Sequence, residues 1–324
     1  MRFICYSALL ILLLTSCKSG GEGYIPRSSG NINNVTIVMK ESLWNGDLGH
    51  IVRDSLQTAY IGLPWDEPQF TLHHLVPQAF TGFARQSRNV IQFATDSVPQ
   101  FRLAQDQFAR PQLFALITGG DSESQKKLFS SNLNQLRKLI LENEQKEKIR
   151  RINQSPSKSI ELKDRFRIEL TYPTAYQTLK DTTNFVWIQK PIPKGHMNLI
   201  AYSLNLTSLD GPTRTRIPAI RDSIGGVYLP GRLEETYMIT EQAYRPYYFT
   251  TTLGGLPGYL TKGMWEVKGD YMAGPFVNYM LRDSLNNRWI VIEGFTFAPN
   301  SNKRDNMFEL NSILSTLEVH WDSN

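Results

Sequence analysis

The chain has 324 residues, of which 41% are hydrophobic and 20% are charged. This composition is typical of a globular protein and excludes an intrinsically disordered chain, which would be poorer in aromatic and β-branched residues. The length suggests two domains, since a domain commonly spans about 100–200 residues. The formal net charge of +5, from 35 basic and 30 acidic side chains, is too small and too evenly spread to indicate a nucleic-acid partner.

The N-terminus carries the most specific pattern in the sequence. An apolar run from Phe3 to Leu14 is shorter than the roughly 20 residues of a membrane-spanning helix and is typical of a signal peptide. Residues 14–17 read Leu-Thr-Ser-Cys and resemble a bacterial lipobox, in which the cysteine receives the lipid. We therefore predict a lipoprotein signal peptide over residues 1–16 and a membrane anchor made by acyl chains on Cys17.

The segment after Cys17 bears on where the protein resides. Residues 17–33 are rich in glycine, serine and asparagine, which is typical of a flexible tether. Lys18 stands where an aspartate would favour retention in the inner membrane, and Glu22 is the only acidic residue of the tether. We expect anchoring to the outer membrane with the protein facing the periplasm. Display on the cell surface is the alternative, which an acidic cluster after Cys17 would favour.

Residues 34–155 are predicted to form an α+β domain. The β-branched run Val35–Met39 indicates a first strand, and apolar residues at three- and four-residue spacing predict a helix over Trp44–Tyr60. Four more strands are predicted downstream, at Phe70–Leu75, Asn89–Ala94, Gln100–Ala104 and Gln112–Thr118. Ser122 and Gln125 fit a capping box for a long amphipathic helix, which closes this domain.

Residues 160–322 are predicted to form a second α+β domain. Its predicted elements are strands over Arg165–Leu170, Phe185–Ile188, Met197–Leu206 and Tyr237–Thr240, a hairpin of Val277–Leu281 and Trp289–Phe297 with a turn at 284–287, and a final helix over Arg304–Leu317. Residues 207–235 are predicted to be a loop, because four glycines and three prolines interrupt them. We expect each domain to be a mainly antiparallel sheet packed with amphipathic helices.

Four short motifs stand out in the second half of the chain. They are Asn184–Ile188, Gly269–Met272, Gly274–Val277 and Val291–Phe295. Combined with the lipobox, they resemble an uncharacterised domain-of-unknown-function family of Bacteroidota lipoproteins. The resemblance covers nearly all of the chain after Cys17. It implies a location and an architecture, and it carries over no catalytic residue.

A second resemblance concerns the fold of residues 160–322. A strand ending in Tyr172-Pro173-x-x-Tyr176, the apolar strand Phe185–Ile188 and a terminal helix ending in Ile313–Leu317 are similar to the Mog1/PsbP-like α/β/α sandwich. Members of that superfamily act mostly as binding or assembly modules. The similarity therefore implies a binding role through fold analogy.

Motifs for metal, nucleotide or nucleophilic chemistry are absent from the sequence. The adjacent His73 and His74 would point to opposite faces of a strand, so they cannot both bind one metal ion. Gly254–Gly258 lacks the spacing of a phosphate-binding loop and predicts a tight turn between strands. No serine lies in a nucleophile motif. We therefore expect no cofactor and no metal.

Carboxylates leave one enzymatic hypothesis open. Glycan hydrolysis needs only two carboxyl groups at a separation of about 5–10 Å, and Glu293 and Asp270 are the candidates for such a pair. Glu293 shares a strand face with Val291 and Phe295, so burial could raise its pKa and make it an acid. The alternative is a solvated Glu293, or an ion pair with a nearby arginine such as Arg282.

Aromatic residues are concentrated between residues 237 and 279. Aromatic rings stack on sugars and anchor protein interfaces, but they also fill the cores of β-rich domains. If a surface of this region binds a partner, we expect it to contain Arg245, Tyr247, Tyr248 and Trp265.

Three functions remain open on the sequence alone. The first is a non-enzymatic envelope lipoprotein that binds an envelope protein or a glycan through its second domain. The second is a glycan- or peptidoglycan-acting hydrolase that uses carboxylates. The third is a small-ligand carrier, which predicts a large apolar pocket between the domains.

Overall fold

A computed structural model of the protein describes residues 24–206 and 216–320. The predicted signal peptide and the lipidation site Cys17 lie outside these described residues, as do the first residues of the predicted tether. Within the described ranges, no helix combines the length and the apolar composition that crossing a membrane requires. The fold is α+β with two domains, as the sequence predicts.

Residues 34–152 form the first domain, with five strands and three α-helices. In chain order these are β1 (Asn34–Val38), α1 (Glu41–Trp44), α2 (Asp47–Leu56), β2 (Thr71–Leu75), β3 (Asn89–Thr95), β4 (Gln100–Gln105), β5 (Leu113–Gly119) and α3 (Ser122–Ile152). Every predicted strand is present to within one residue at each end. The predicted helix over Trp44–Tyr60 is wrong in its bounds, because the chain bends at Gly46 between α1 and α2 and leaves the helix after Leu56.

The sheet of the first domain is mainly parallel, which corrects the expectation of antiparallel pairing. Its strand order is β2-β1-β3-β5-β4, and β4 alone runs antiparallel to its neighbour. The helices between β1 and β2 make the crossover that parallel neighbours require. Strands β3 and β5 are buried along nearly their whole length because α2 and α3 cover one face and residues such as Phe80 cover the other. Their continuous apolar runs were the sequence signal for parallel strands.

Helix α3 begins one residue away from the predicted cap. The Asp121 carboxylate accepts a hydrogen bond from the Ser124 backbone N–H at 2.8 Å, and Ser124 completes the capping box. The predicted pair of Ser122 and Gln125 is therefore wrong. Gln125 is buried instead, and its amide donates to the Ala94 carbonyl at 2.9 Å.

The second domain follows, with twelve strands and three helices among its described residues. They are β6 (Pro156–Lys158), α4 (Ile160–Phe166), β7 (Ile168–Glu169), β8 (Thr171–Pro173), β9 (Gln177–Thr182), β10 (Phe185–Ile192), β11 (Gly195–Asn205), α5 (Arg216–Tyr228), β12 (Tyr237–Thr240), β13 (Tyr247–Leu253), β14 (Leu256–Lys268), β15 (Ala273–Asp283), β16 (Arg288–Phe297), α6 (Arg304–Leu314) and β17 (Glu318–Val319).

An eight-stranded antiparallel sheet organises the second domain. Its order is β12-β14-β15-β16-β11-β10-β9, and β13 pairs with β14 beside β12. Helix α6 packs on one face over a core that includes Val277, Ile292 and Leu310, and α5 packs on the other over Phe185 and Val291. The predicted hairpin of β15 and β16 and the predicted turn between β13 and β14 are both confirmed.

Two predictions fail in the second domain. Part of the predicted loop over 207–235 is helix α5, which passes so close to β12 that a Cβ on Gly225 would lie 1.9 Å from the Met238 carbonyl oxygen. Gly225, which suggests a loop in the sequence, is thus the residue that lets α5 pack closely against β12. The predicted strand over Arg165–Leu170 is also wrong, because its first residues complete helix α4 and only Ile168 and Glu169 pair as β7.

The two domains share a polar and an apolar interface. The Glu67 carboxylate of the first domain accepts hydrogen bonds from the backbone N–H groups of Lys303 and Arg304, at 2.8–2.9 Å, and so satisfies the start of α6. The core beneath α6 also includes Tyr60 and Leu63 from the first domain. The helix that closes the second domain is therefore held partly by the first.

Candidate functional site

The structure brings together three of the four predicted binding residues. Arg245 and Tyr247 are exposed at the start of β13, and Tyr248 is half-buried against the core on the α5 side. Trp265 does not belong to this surface: it is 1% exposed, and its ring packs on Phe295 with the ring centroids 5.7 Å apart. Because side chains alternate along a strand, the pairing of β13 with β14 places Tyr247 and Trp265 on opposite faces of the sheet.

Strand β13 lies at an edge of the sheet, and in the part of the chain that the structure describes this edge is open at Thr250 and Thr252. Among the described residues, β14 is the only strand that pairs with it. Leu253 and Leu256 close the two-residue turn and form a hydrogen-bonded pair. In an antiparallel ladder, hydrogen-bonded and non-hydrogen-bonded pairs alternate, so Thr252 and Thr250 belong to non-hydrogen-bonded pairs. Their backbone N–H and C=O groups therefore point away from β14. The seven residues of β13 include no charged side chain. The edge therefore lacks the charge that commonly blocks strand pairing.

The opposite edge of the same sheet is built differently. Strand β9 carries Lys180 and Asp181 within its six residues. Charged residues on an edge strand oppose pairing with another chain. The third edge strand, β12, is covered, because the backbone N–H of Met238 donates to the Leu229 carbonyl and that of Thr240 donates to Asp222. Of the described edge strands, β13 is therefore the one best suited to accept a further strand.

Exposed aromatic side chains lie on β13 beside the first domain. Tyr247 is 46% exposed and Phe249 is 40% exposed, and both point to the same face of the sheet. Tyr244 joins them to the first domain, because its ring lies 6.3 Å from that of Tyr247 and its hydroxyl donates to the Leu63 carbonyl at 3.0 Å. Burial is the main cause that raises the pKa of Tyr244 to about 12, so the hydroxyl remains a donor. We name Arg245, Tyr247 and Phe249, with the open edge, the β13 surface.

A pocket of about 170 Å³ lies on the α5 face of the sheet. It is bounded by the sheet, the chain that leaves α5 and the turn between β14 and β15. Its apolar wall is formed by Trp187, Leu229, Met238, Trp265, Val267, Met272 and Phe295, and its polar wall by Gln189, His196 and Arg232. We name it the sheet pocket. Trp265, predicted as a binding residue of an exposed surface, thus lines a pocket on the opposite face of the sheet.

A buried amide organises the polar wall of the sheet pocket. Asn198 is fully buried, and its side-chain carbonyl accepts hydrogen bonds from Trp187 Nε1 at 3.0 Å and from Gln189 Nε2 at 2.9 Å. Its amide nitrogen lies 2.8 Å from His196 Nδ1. Burial lowers the pKa of His196, which favours the neutral ring. Sequence reasoning missed this network, although polar residues alternating within the apolar strands β10 and β11 were a signal for it.

The two carboxylates of the hydrolase hypothesis are held by arginines. Glu293 is 1% exposed and accepts hydrogen bonds from Arg221 at 2.6 and 2.7 Å, so it does pair with an arginine, which is Arg221 rather than Arg282. Asp270 accepts from Arg232 at 2.7 and 2.9 Å, and these bonds are the main cause that lowers the pKa of Asp270. A general acid must reach the substrate with its proton, and both carboxyl groups are instead occupied by the guanidinium of an arginine.

Glu266 of β14 and Glu241, the residue after β12, form a second carboxyl pair. The pKa of Glu266 is raised by burial first and then by a hydrogen bond with Glu241. Two carboxyls in direct contact are closer than the about 5–10 Å that separates the carboxyl groups of glycosidases.

Among the described residues, no group of three or more histidine, cysteine or acidic side chains could hold a metal ion. The ring of His74 stacks on Trp44, and its Nε2 lies within hydrogen-bond distance of the Met39 carbonyl. These contacts indicate a structural role for His74.

Comparison with known families assigns both halves of the chain. The chain belongs to the family described as "Domain of unknown function (DUF4837)", whose model matches residues 155–316. A second model, described as "Domain of unknown function (DUF8532)", matches residues 28–153. No curated protein matches the chain.

Solved structures resemble the chain weakly. The Ran-binding protein Mog1p of Saccharomyces cerevisiae is 9% identical, with 51% of this chain and 96% of that chain covered and a TM-score of 0.33. LpqN of Mycobacterium tuberculosis, titled as involved in cell envelope biogenesis, is 12% identical, with 47% and 82% covered and a TM-score of 0.29. The expected similarity to Mog1/PsbP-like folds is thus present, and it is weak.

Proposed function

We propose that the protein is an acyl-anchored envelope protein that binds an extended segment of another envelope protein along the edge of β13. The single observation that carries this proposal is the open, uncharged edge of β13 beside the exposed rings of Tyr247 and Phe249. The proposal names a non-enzymatic binding role and keeps Cys17 as the anchor.

Strand addition suits this surface chemically. A peptide that adds to a sheet edge gains main-chain hydrogen bonds, here with Thr250 and Thr252, and its alternate side chains meet the exposed face of the host sheet. On that face of the sheet, the rings of Tyr247 and Phe249 can contact the side chains of the bound peptide. Large aromatic rings supply contact area at a small cost in conformational entropy. The preceding Arg245 adds one positive charge, which favours a segment with an acidic residue at that end.

The other two functions have less support. The hydrolase would need a protonated carboxyl that faces a second carboxyl across a cleft, whereas Glu293 and Asp270 each form an ion pair with an arginine. The carrier was expected to show a large pocket between the domains. The sheet pocket, of about 170 Å³, and a pocket of about 310 Å³ against α5 lie within the second domain instead. A pocket of about 400 Å³ is lined by the first domain and the segment before it, with Arg110 and Arg150 in its wall. None of these three pockets lies between the two domains.

The anchor is tested separately from the binding surface. A Cys17→Ser variant should lose acyl labelling and move from the membrane fraction to the soluble fraction, because no other anchor is predicted. Membrane fractionation and metabolic labelling with a fatty-acid analogue measure both effects. Separation of inner and outer membranes then places the wild-type protein. Retention of the variant in the membrane would contradict the proposed anchor.

A proline at position 250 tests the binding edge. Thr250→Pro removes an outward N–H and leaves the hydrogen bonds to β14 in place, because proline is tolerated at edge positions. Thr250→Val keeps the N–H and the branched shape, and serves as the matched control. Crosslinking followed by affinity purification from the native envelope should recover a stoichiometric protein partner with wild type and Thr250→Val.

The same partner should be lost with Thr250→Pro, while the thermal midpoint of the variant stays close to that of wild type. Equal recovery with all three proteins would place the interface elsewhere. Recovery of the bait alone, or of a glycan without a protein, would overturn the proposed protein partner.

A further inference from the structure

We infer that the face of the first domain next to the anchor binds the anionic phospholipid headgroups of the membrane that holds the acyl chains. We name this face the anchor-side surface; it consists of Tyr24, Ile25, Arg27, Arg110 and Arg150, which line a pocket of about 400 Å³. The inference rests on the proposed anchor at Cys17 and is independent of the β13 surface. It is carried by the short chain between the anchor and this surface, by the excess of positive charge and by the exposed apolar residues.

The anchor keeps this surface close to the membrane. Six residues separate Cys17 from Tyr24, and an extended chain spans at most about 3.3–3.6 Å per residue, so Tyr24 lies within about 25 Å of the acylated cysteine. The chain after Tyr24 is fixed on the first domain, because the backbone N–H of Ser28 donates to the Arg110 carbonyl at 3.0 Å and that of Arg110 donates to the Pro26 carbonyl at 2.8 Å. The loop that carries Arg110 is therefore held beside the anchor as well.

Positive charge exceeds negative charge on the anchor-side surface. Three arginines line its pocket, and Glu147 is the one acidic residue among the described residues of the wall. The side chains of Arg110 and Arg150 are 67% and 44% exposed, so both are accessible from solvent, and Asp106 balances the charge of Arg110. Arg27 is also exposed and forms no ion pair with a described residue.

The carboxylate of Glu147 does not cancel the remaining charge. Glu147 is 3% exposed and accepts hydrogen bonds from both Arg150 and Arg151 at 2.7–2.9 Å, so one carboxylate faces two cations. One positive charge of this group is therefore left without an opposing carboxylate, in addition to that of Arg27. An anionic surface is attracted to both.

The exposed groups suit a layer of lipid headgroups. Guanidinium groups bind phosphate oxygens through paired hydrogen bonds. Tyr24 is 89% exposed and Ile25 is 37% exposed, and a tyrosine ring is favoured at the boundary between membrane and water. Arginines beside exposed apolar residues are typical of surfaces that lie on anionic membranes. A small soluble anion would leave Tyr24 and Ile25 in water, which is why lipid is the occupant that these residues favour.

The test measures how close the anchor-side surface comes to a bilayer. The acylated protein without its signal peptide is reconstituted into vesicles of phosphatidylcholine, with or without phosphatidylglycerol. Cys17 is then blocked and Cys5 is removed, so Gln107→Cys supplies the only thiol. Gln107 is exposed in the loop that carries Arg110, and a donor fluorophore on this thiol reports its distance from acceptor-labelled headgroups. Flotation with pure phosphatidylcholine vesicles measures the acyl anchor separately, so a failure of the anchor is distinguished from a failure of the surface.

Energy transfer from position 107 should rise when phosphatidylglycerol is present. It should fall again at high salt, because screening weakens the attraction between exposed charges. The same label on Ser122→Cys should show a smaller rise, since Ser122 begins α3 about 42 Å along the helix from Arg150. Protein that floats with the vesicles but shows no effect of phosphatidylglycerol at position 107 would overturn the inference, and so would an equal rise at both positions.

Two double variants test the residues. Arg27→Gln with Arg110→Gln should lower the ratio of docked to undocked protein about 10- to 30-fold, since each cation near an anionic surface contributes about 5-fold. Lys126→Gln with Lys127→Gln is the matched control, because it also removes two positive charges, one of them paired with an acid, at the far end of α3. The control should leave the ratio unchanged, and both variants should keep the thermal midpoint of wild type. Equal losses with the two double variants would show a general effect of net charge and would overturn the assigned surface.

Discussion

Arg221 and Glu293 form an ion pair inside the second domain. Both side chains are less than 5% exposed, Asn278 donates to the same carboxylate at 2.8 Å, and Thr240 accepts from Arg221 at 2.7 Å. The guanidinium also lies 3.6 Å from the centroid of the Phe276 ring. Since Arg221 belongs to α5 and the other residues belong to the sheet, the pair connects this helix to three strands. Its position indicates a structural role, which is why Glu293 is unsuited to acid catalysis.

Removing one member of this pair should destabilise the protein strongly. Arg221→Met leaves a buried carboxylate without its cation, and such changes cost about 3–5 kcal/mol. Urea unfolding measures the loss as a lower midpoint. The double variant Arg221→Met with Glu293→Met should recover much of it, because no buried charge remains. Arg165→Met, which breaks a pair with Asp181 whose side chains are 42% and 30% exposed, is the control and should change the midpoint far less.

A loss below about 1 kcal/mol in Arg221→Met would show that the carboxylate finds another partner or takes up a proton, and would return Glu293 to consideration as an acid. The sequence could not reveal the pair. Arg221 and Glu293 are 72 positions apart, and Arg221 lies in a segment whose composition suggested a loop.

At the scale of elements, the sequence predicts strands better than it predicts their pairing. The strands of the first domain are found where the apolar runs place them, because a buried strand needs apolar residues regardless of its neighbours. Pairing direction depends on the crossovers made by α1 and α2, and so on contacts that no local pattern contains. In the second domain, sequential hairpins make neighbours of consecutive strands, and antiparallel pairing was correctly predicted.

The same limit applies to the candidate site. The aromatic content of residues 237–279 predicts the part of the chain that contains the proposed β13 surface, but only register and alternation separate Tyr247 from Trp265. The open edge of β13 follows from the sheet order, in which no further described strand lies beside it. Phe249 was part of the aromatic cluster, and its exposure became clear only once its strand was assigned to the edge.

A lysine of the second domain lies at its contact with the first domain. Lys262 of β14 lies beneath the first domain, with its Nζ 5.3 Å from the centroid of the Tyr60 ring and its Cβ against Gly62. Burial lowers the pKa of Lys262 to about 8. The ring attracts the cation, but burial disfavours it more. Docking of the two domains therefore favours the neutral amine.

The stability of the two-domain unit should rise with pH between about 8 and 10. In this range the unfolded chain, with a lysine pKa near 10.5, binds more protons than the folded chain, so raising the pH stabilises the fold. The gain should be about 1–3 kcal/mol from this group. Above about pH 10, Tyr279 has the opposite effect on stability. Burial raises its pKa to about 12, so the unfolded chain loses this proton at a lower pH than the folded chain does, and raising the pH then destabilises the fold.

Lys262→Met isolates this effect. The variant should be more stable than wild type at pH 7.5, and its advantage should shrink by pH 9.5, as measured by urea unfolding at a series of pH values. Lys268→Met is the matched control, because Lys268 lies on the same strand at 5.4 Å from the Tyr237 ring but is exposed; it should leave the pH dependence unchanged. Parallel pH profiles for wild type and Lys262→Met would show that Lys262 stays charged, and that the junction tolerates a cation between the two domains.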